Sequence, residues 1–236
     1  MFNLTDKGRG IRDMFDAIAP RYDLLNRLLS LGIDRRWRTL AVAQLQIPAG
    51  GRVLDVATGT GDVALEIAAR TPDSVRIVGE DFTQGMLVHG QDKIARSPYA
   101  HRIVLVNAPC ESMPHPDQSF DGVTIAFGIR NVVDRLAGLK EMHRVLRPGG
   151  RAVILEFSNP RSRVFKSIYY FYFKRILPFI GGLISKRSAY QYLPDSVLEF
   201  PSQEAFSALM AEAGFTQLRH IDLTGGIATV YVGVRP

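Results

Sequence analysis

The chain has 236 residues, 46% of them hydrophobic and 22% charged, so it can bury a large core as one domain, or as one domain with an elaborated edge. A single cysteine, Cys110, excludes an intrachain disulfide and an all-cysteine metal site, and it fits a reducing compartment. The N-terminus lacks the basic-then-apolar order of a signal peptide, and no window has the roughly 18 uncharged apolar residues of a membrane-spanning helix.

The net charge of +6 is concentrated in one segment of the chain. No acidic residue occurs between Glu156 and Asp195, an interval that contains seven lysines and arginines, so the other residues sum to −1. A protein that follows a nucleic-acid backbone usually spreads its positive charge along a broad face. The distribution therefore argues against a nucleic-acid partner.

The first predicted elements are helices. Apolar residues recur at helical spacing from residue 11 to residue 45, and Pro20 and Gly32 divide this region into two or three helices. Because these helices precede the first predicted strand, we expect them to cover one end of a sheet.

From residue 52 onward, strand and helix patterns alternate. The predicted strands are 52–57, 75–80, 103–106, 120–126 and 150–157, and the predicted helices are 62–70, 84–95 and 134–146. A helix at 202–213 precedes two strands, 216–223 and 227–234, which Gly225-Gly226 would join as an antiparallel hairpin. This alternation predicts a mostly parallel, doubly wound sheet, in which ligands bind at the carboxyl ends of the strands.

One stretch, residues 53–62, passes from an apolar strand through two glycines into a helix. Gly59 and Gly61 allow the backbone to approach a ligand closely, and we expect Asp62 to cap the new helix. The Gly59-x-Gly61 spacing, with Asp81 about 20 residues further on, also fits the dinucleotide-binding fingerprint. A turn that only packs the helix on the strand is the third interpretation.

Asp55, inside the first strand, favours a cationic cofactor. A carboxylate there would repel a pyrophosphate, whereas it would attract the sulfonium and ammonium groups of S-adenosylmethionine. The closing hairpin adds a reversed strand, and the turn Pro148-Gly149-Gly150 opens the strand at 150–157. Both features resemble class I methyltransferases. Asp55 and the closing hairpin together disfavour a NAD-dependent dehydrogenase.

Three blocks of sequence carry a closer resemblance. They are Tyr22-Asp23-Leu24-Leu25-Asn26 followed by Ser30, Gly32 and Trp37; Phe127-Gly128-Ile129-Arg130-Asn131-Val132; and Arg144-Val145-Leu146-Arg147-Pro148-Gly149-Gly150 followed by Glu156-Phe157-Ser158. Together they resemble signatures of the ubiquinone/menaquinone biosynthesis C-methyltransferases, from about Met14 to the C-terminus. The chain departs from those signatures at Leu25, Asp34 and Arg147, where the family usually has Met, His and Lys. We assign no role to Asp34.

The resemblance implies a class I S-adenosylmethionine-dependent methyltransferase with a Rossmann-like α/β fold. The implied organisation is a single domain over 1–236, with an N-terminal helical cap over 1–48 and a helical insertion near 160–186, within 160–200, for substrate and membrane. The implied cofactor contacts are Asp55, Gly59, Thr60, Gly61, Asp81, Asn107 and Ala108. We expect Asp81 to accept hydrogen bonds from the ribose hydroxyls and Asn107 to lie near the adenine. No histidine has metal-ligand spacing, so we predict no metal site.

The resemblance also implies the reaction. A methyl group would pass from sulfur to a ring carbon of a polyprenyl demethylnaphthoquinol in menaquinone biosynthesis. Arg130 and Asn131 are the candidates for stabilising the phenolate that develops, although Arg130 could instead form a surface ion pair with Asp134. Tyr22 could close over the substrate or only pack. The alternatives are a bifunctional enzyme that also methylates the benzoquinol of ubiquinone biosynthesis, and a non-catalytic cofactor-binding assembly protein.

The aromatic segment 169–173 carries the prediction about the membrane. Cationic side chains can reach phospholipid head groups while aromatic side chains occupy the interface. We expect Tyr169 and Tyr172 to contact the substrate, and the protein to be cytoplasmic with transient contact at the inner face of the membrane. A buried helix is the alternative interpretation, and a homodimer is a further prediction.

Overall fold

The computed structural model describes residues 5–158 and 196–236, so the insertion predicted near 160–186, with Tyr169 and Tyr172, lies outside the described residues. The helices ahead of the sheet are α1 (Asp6–Ile18), α2 (Tyr22–Leu29) and α3 (Asp34–Val42). α1 begins before the predicted helical region because Thr5 caps it, its hydroxyl oxygen accepting a hydrogen bond from the Gly8 amide at 3.2 Å.

Both breaks predicted in this region are confirmed. Pro20 lies in a 3₁₀ turn, Ala19–Arg21, between α1 and α2. Gly32 precedes α3 with a backbone φ of 76°, a conformation that glycine adopts without steric cost.

The strands form one mixed sheet in the described part of the chain. They are β1 (Arg52–Val56), β2 (Arg76–Asp81), β3 (Ile103–Asn107), β4 (Phe120–Ala126), β5 (Leu146–Phe157), β6 (Thr216–Leu223) and β7 (Ala228–Val234). Their order is β3-β2-β1-β4-β5-β7-β6, with β1 to β5 mutually parallel and β7 antiparallel to both of its neighbours. The predicted doubly wound sheet with its closing hairpin is confirmed.

The connecting helices are α4 (Asp62–Arg70), α5 (Gln84–Ala95), α6 (Arg135–Val145) and α7 (Gln203–Glu212). β5 starts earlier than predicted, because Leu146 pairs with Phe120 before the turn at Gly149 and Arg151 resumes the pairing opposite Gly122. Gly149 has a φ of 78°. The Pro-Gly-Gly turn is thus a bulge within β5 and not its beginning.

The core lies on both faces of the sheet. Successive residues of β5 point alternately to the two faces, so Ile154 packs on the side of α6 and α7, and Val153 on the side of α3 and α4. Because helices cover both faces, the central strands are apolar almost throughout. The carboxyl ends of the strands are then the part of the sheet where a ligand site can form. Among the described residues, no helix has both the length and the apolarity required to cross a bilayer.

Candidate active site

Two non-glycine residues adopt left-handed backbone conformations where β1 and β4 end side by side in the sheet. Ala57 has a φ of 51° and Phe127 a φ of 56°. Such conformations cost of order 1–3 kcal/mol each, and they cluster at functional sites. Their position at the carboxyl edge of the sheet supports the predicted location of the ligand.

The glycine turn follows β1, but its cap differs from the prediction. Gly61 is the N-cap of α4, with a φ of 80°, and the Asp62 side chain makes no capping bond, so the predicted cap is wrong. Asp62 instead receives charged hydrogen bonds from Arg38 at 2.6 Å and Lys93 at 2.7 Å. A Cβ on Gly61 would lie 3.0 Å from the Ile94 side chain, so glycine also lets the turn approach α5.

A cleft that holds about 740 Å³ of space, open solvent included, lies between the strand ends and the helical cap. Of the predicted cofactor set, Gly59, Asp81 and Ala108 line it; of the predicted substrate and catalytic set, Tyr22 and Asn131 do.

Asp81 is buried at the end of β2 and ties the glycine turn to the next loop. Its Oδ2 accepts a hydrogen bond from the Gly59 amide at 2.9 Å, and its Oδ1 accepts one from the Thr83 amide at 2.8 Å. Burial raises the pKa of Asp81 to about 6, although both amide hydrogen bonds oppose the rise. Only 6% of the surface of Asp81 is exposed.

Asp55 lies behind the turn and does not line the cleft. It is fully buried in β1, and its Oδ2 accepts a hydrogen bond from the Thr58 hydroxyl at 2.6 Å. Burial raises the pKa of Asp55 to about 7, against the effect of the Thr58 hydrogen bond. Its charge can therefore act on a bound cation only across the turn, and only where the carboxyl is ionised.

Thr60 and Asn107 belong to the predicted cofactor set but do not line the cleft. The Thr60 hydroxyl donates a hydrogen bond to Asp23 at 2.6 Å and accepts one from Lys93 at 3.0 Å, so it is already engaged within the protein. The Asn107 side-chain amide donates to the Asp81 carbonyl at 2.8 Å and binds β3 to β2. Direct side-chain contacts from these two residues remain predictions.

A network of ion pairs joins the helical cap to the glycine turn and α5. Arg38 lies 2.7 Å from Asp34 and 2.6 Å from Asp62, and Lys93 lies 2.7 Å from Asp62 and 2.5 Å from Asp23. Asp34, to which the sequence assigned no role, is 3% exposed. The acid at this position therefore holds the arginine that binds Asp62.

We expect Asp34→Asn to lower the free energy of unfolding by about 2 kcal/mol, because it removes the charge that faces the mostly buried Arg38. Asp13→Asn is the control, since Asp13 forms an exposed pair with Arg12 that should contribute under about 0.5 kcal/mol. Urea unfolding of the two variants measures the difference. Equal effects would show that the network adds no stability.

The turn after β4, Ile129–Asn131, contains both predicted catalytic residues, but it places them in different surroundings. Asn131 lines the cleft, whereas Arg130 is buried behind the wall. Arg130 Nη1 donates to Glu156 Oε1 at 2.8 Å, so the alternative of a surface pair with Asp134 is wrong. Asp134 instead caps α6 by accepting from the Ala137 amide.

The helical cap contributes aromatic side chains to the cleft. The ring of Tyr22 lies over the glycine turn, 4.0 Å from where a Cβ on Gly59 would be, and packs edge-on against Phe15 with a centroid separation of 6.1 Å. Burial raises the pKa of Tyr22, so its hydroxyl stays protonated at neutral pH. Tyr22 thus lies in the cleft, and its closing over substrate stays a prediction.

Sequence reasoning missed several apolar residues of the cleft wall, among them Phe15, Phe82 and Met86. Phe82 directly follows Asp81, so its place after a strand end was a usable signal. Phe15 had none, because its part in the site depends on how α1 packs over the sheet.

Comparison with known proteins identifies the family. The sequence model of the ubiE/COQ5 methyltransferase family matches residues 3–235. The chain belongs to the ubiE/COQ5 methyltransferase family. A Geotalea uraniireducens member named ubiquinone/menaquinone biosynthesis C-methyltransferase UbiE is 66% identical, over 99% of each chain. A Deinococcus radiodurans protein named demethylmenaquinone methyltransferase is 49% identical, over 97% of this chain and 93% of the relative.

Solved structures of low sequence identity share the fold of this family member. The [4+2]-cyclase SpnF superimposes with a TM-score of 0.74 at 16% identity, over 97% of each chain. An S-adenosylmethionine-dependent methyltransferase from Aquifex aeolicus gives a TM-score of 0.63 at 15% identity, over 84% of this chain and 89% of the other. One fold thus carries different reactions, so the argument for function must come from the site.

The residues of the cleft fit S-adenosylmethionine, the cofactor of this methyltransferase family. The turn is open toward the cleft at Gly59, where a Cβ would meet no atom closer than 4.0 Å. Asp81 offers a carboxylate for hydroxyl groups beside it, and the charge of Asp55 lies behind the turn, where it favours a cation. The predicted cofactor is therefore consistent with the shape and the charge of the site.

Proposed function

We propose that the protein transfers a methyl group from S-adenosylmethionine to a ring carbon of a polyprenyl demethylnaphthoquinol, converting demethylmenaquinol to menaquinol. The observation that carries the proposal is one cleft in which Gly59 and Asp81 face an aromatic wall, with Asn131 beside it. The names of the family relatives support a quinone-type acceptor. The cofactor, when bound, supplies a methyl group that its sulfonium already activates.

The chain's own residues orient the acceptor and shield it from water. Phe15, Phe82 and Met86 provide an apolar wall for a fused aromatic ring, and Tyr22 covers the turn from the cap. A quinol hydroxyl that has lost its proton to solvent would push electron density onto the adjacent ring carbon. That carbon would take the methyl group as the bond between methyl and sulfur breaks, which leaves S-adenosylhomocysteine, and the ring proton would pass to solvent through the open side of the cleft.

Asn131 is one of the polar residues that line the cleft, and its side-chain amide can hydrogen-bond to a quinol hydroxyl. Arg130 is buried behind it and pairs with Glu156, and its permanent positive charge would favour a developing phenolate. In this proposal Asn131 contacts the acceptor and Arg130 acts on its charge from behind the wall.

The acceptor is tested by supplying labelled S-adenosylmethionine with a demethylnaphthoquinol and, separately, with the benzoquinol intermediate. We expect label in the naphthoquinol. Label in both quinols would support the bifunctional alternative, which the double name of several relatives favours. Cofactor binding without transfer to either quinol would favour a non-catalytic assembly protein and contradict the proposal.

We also propose transient contact of the cytoplasmic protein with the inner face of the membrane, where a polyprenyl quinol resides. The support is the cationic, aromatic sequence between Glu156 and Asp195, which has no acidic residue. In flotation with anionic vesicles at low salt, we expect the protein to rise with the lipid and to be released by about 0.5 M salt. Protein that stays in the soluble fraction at low salt contradicts the contact. The predicted homodimer is checked by sedimentation of the same sample.

A further inference from the structure

The side-chain carboxylate of Glu156, near the end of β5, binds both the backbone amide and the guanidinium of Arg130. Its Oε1 accepts hydrogen bonds from Arg130 Nη1 and from the Phe157 amide, both at 2.8 Å. Its Oε2 accepts one from the Arg130 amide at 3.2 Å. Since Glu156 has no exposed surface, this carboxylate fixes the turn after β4 to β5 from inside the protein.

The same arginine reaches the strained part of the cleft wall. Arg130 Nη1 donates a second hydrogen bond, to the Phe127 carbonyl at 2.5 Å, and its guanidinium lies over the Phe157 ring at 5.4 Å. Phe127 is the left-handed residue at the end of β4, and its amide donates to the Leu155 carbonyl at 2.7 Å. The carboxylate is thus connected through one guanidinium to a residue that lines the cleft.

A buried ion pair is seldom the most stable solution for a core. Apolar residues of similar volume often replace such pairs without loss of stability, because removing two charges from water costs about as much as their attraction returns. The Arg130 Nε is also enclosed and makes no hydrogen bond within the described residues. The pair is therefore poorly explained by stability alone.

We propose that Glu156 is a positioning residue for the acceptor half of the cleft. Through Arg130 it sets the backbone of Phe127 and the turn that carries Asn131, and it touches neither cofactor nor acceptor. The inference rests on the proposed function, because it assigns Glu156 a part in holding the quinol in line with the methyl group.

Glu156→Gln tests the proposal, since it keeps the size of the side chain but removes its negative charge. It also places a hydrogen-bond donor, the amide N–H₂, where the carboxylate now accepts from Arg130 and from the Phe157 amide. We expect kcat for the naphthoquinol to fall about 100-fold, while the dissociation constant of the cofactor changes less than threefold. Glu156→Asp, which keeps the charge, should recover at least tenfold of the loss. A merely structural residue would lower cofactor affinity and kcat together.

Glu141→Gln is the matched control. Glu141 also accepts hydrogen bonds from an arginine, Arg144, and from a backbone amide, that of Met113, but it lies on α6 and does not line the cleft. We expect its kcat to equal that of the wild type. An Arg130→Met, Glu156→Leu double variant covers the case in which Glu156→Gln does not fold, because it removes both charges. We expect it to fold and to stay slow.

The outcomes separate the inference from the proposed function. A kcat within threefold of wild type in Glu156→Gln or in the folded double variant overturns the inference and leaves the methyl transfer standing, as does a parallel loss of cofactor affinity. If the wild type transfers no methyl group, the proposed function fails, and the position of the cleft wall is then followed by the fluorescence of Trp37.

Trp37 is the single tryptophan, and its ring lies 6.2 Å from that of Phe127. We expect its fluorescence emission to shift in Glu156→Gln and not in Glu141→Gln. Emission spectra of the two variants that both equal the wild-type spectrum would overturn the positioning role of Glu156.

Discussion

We expect Asp81→Asn to weaken S-adenosylmethionine binding about 100-fold at pH 8, or roughly 2.7 kcal/mol, because both carboxylate oxygens of the wild type accept hydrogen bonds from backbone amides. An asparagine must turn its N–H₂ group toward either Gly59 or Thr83, so one amide loses its acceptor. The variant also removes the negative charge beside the predicted ribose hydroxyls. At pH 8 the wild-type carboxyl is ionised, since burial raises its pKa only to about 6.

Calorimetric titration of the cofactor measures this change, and kcat at saturating cofactor should stay within threefold of the wild type. Asp16→Asn is the control. Asp16 also accepts from a backbone amide, that of Gly85 at 2.8 Å, but it is exposed. We expect less than a twofold effect there. A comparable loss in both variants would mean that the first turn of α5, and not the carboxylate beside the cofactor, governs affinity.

Asp55→Asn should change how stability depends on pH. Burial raises the pKa of Asp55 from 3.8 to about 7, so the folded protein binds more protons at this site than the unfolded chain does between those values. Stability from this group is therefore greatest near pH 4 and falls as pH rises through 7, by roughly 4 kcal/mol at most. The asparagine removes this dependence, and the cofactor-free variant should exceed wild type at pH 8 by about 2 kcal/mol or more.

Denaturant unfolding at pH 5 and pH 8 tests the prediction without cofactor. Some slope will remain in Asp55→Asn, because burial also raises the pKa of Asp81. The same variant should bind the cofactor about tenfold more weakly, while binding of the product S-adenosylhomocysteine, which keeps the ammonium group but has a neutral sulfur, changes less than threefold. Equal pH slopes in the two proteins would contradict the raised pKa of Asp55, and equal losses for both ligands would contradict its attraction for the sulfonium.

The positions of the strands and helices could be predicted from the sequence because they follow local periodicity. Strands that are buried on both faces have runs of apolar residues in the sequence. Pro20 and Gly32 mark the breaks between helices because of their own backbone conformations. Errors occurred where pairing between strands decided the boundary, as at Leu146, which joins β5 through its partner Phe120.

The site could be predicted only in part. Tyr22, Asp81 and Asn131 line the cleft; Asp81 follows the predicted strand 75–80, and Asn131 lies in the loop after the predicted strand 120–126. The partners of Asp62 and Arg130 were not predicted. Asp62 lies at a helix start and could have capped that helix, and Arg130 could have paired with Asp134. In the folded chain Asp62 pairs with Arg38, and Arg130 pairs with Glu156.

The sequence by itself thus determined the mixed sheet, the glycine turn and the family, since each depends on residues close together in the chain. The tertiary structure decided which charges meet. Arg130 and Glu156 are 26 residues apart, and Arg38 and Asp62 are 24 apart. No local pattern records such a pair, because an ion pair between distant segments depends on how the strands and helices pack.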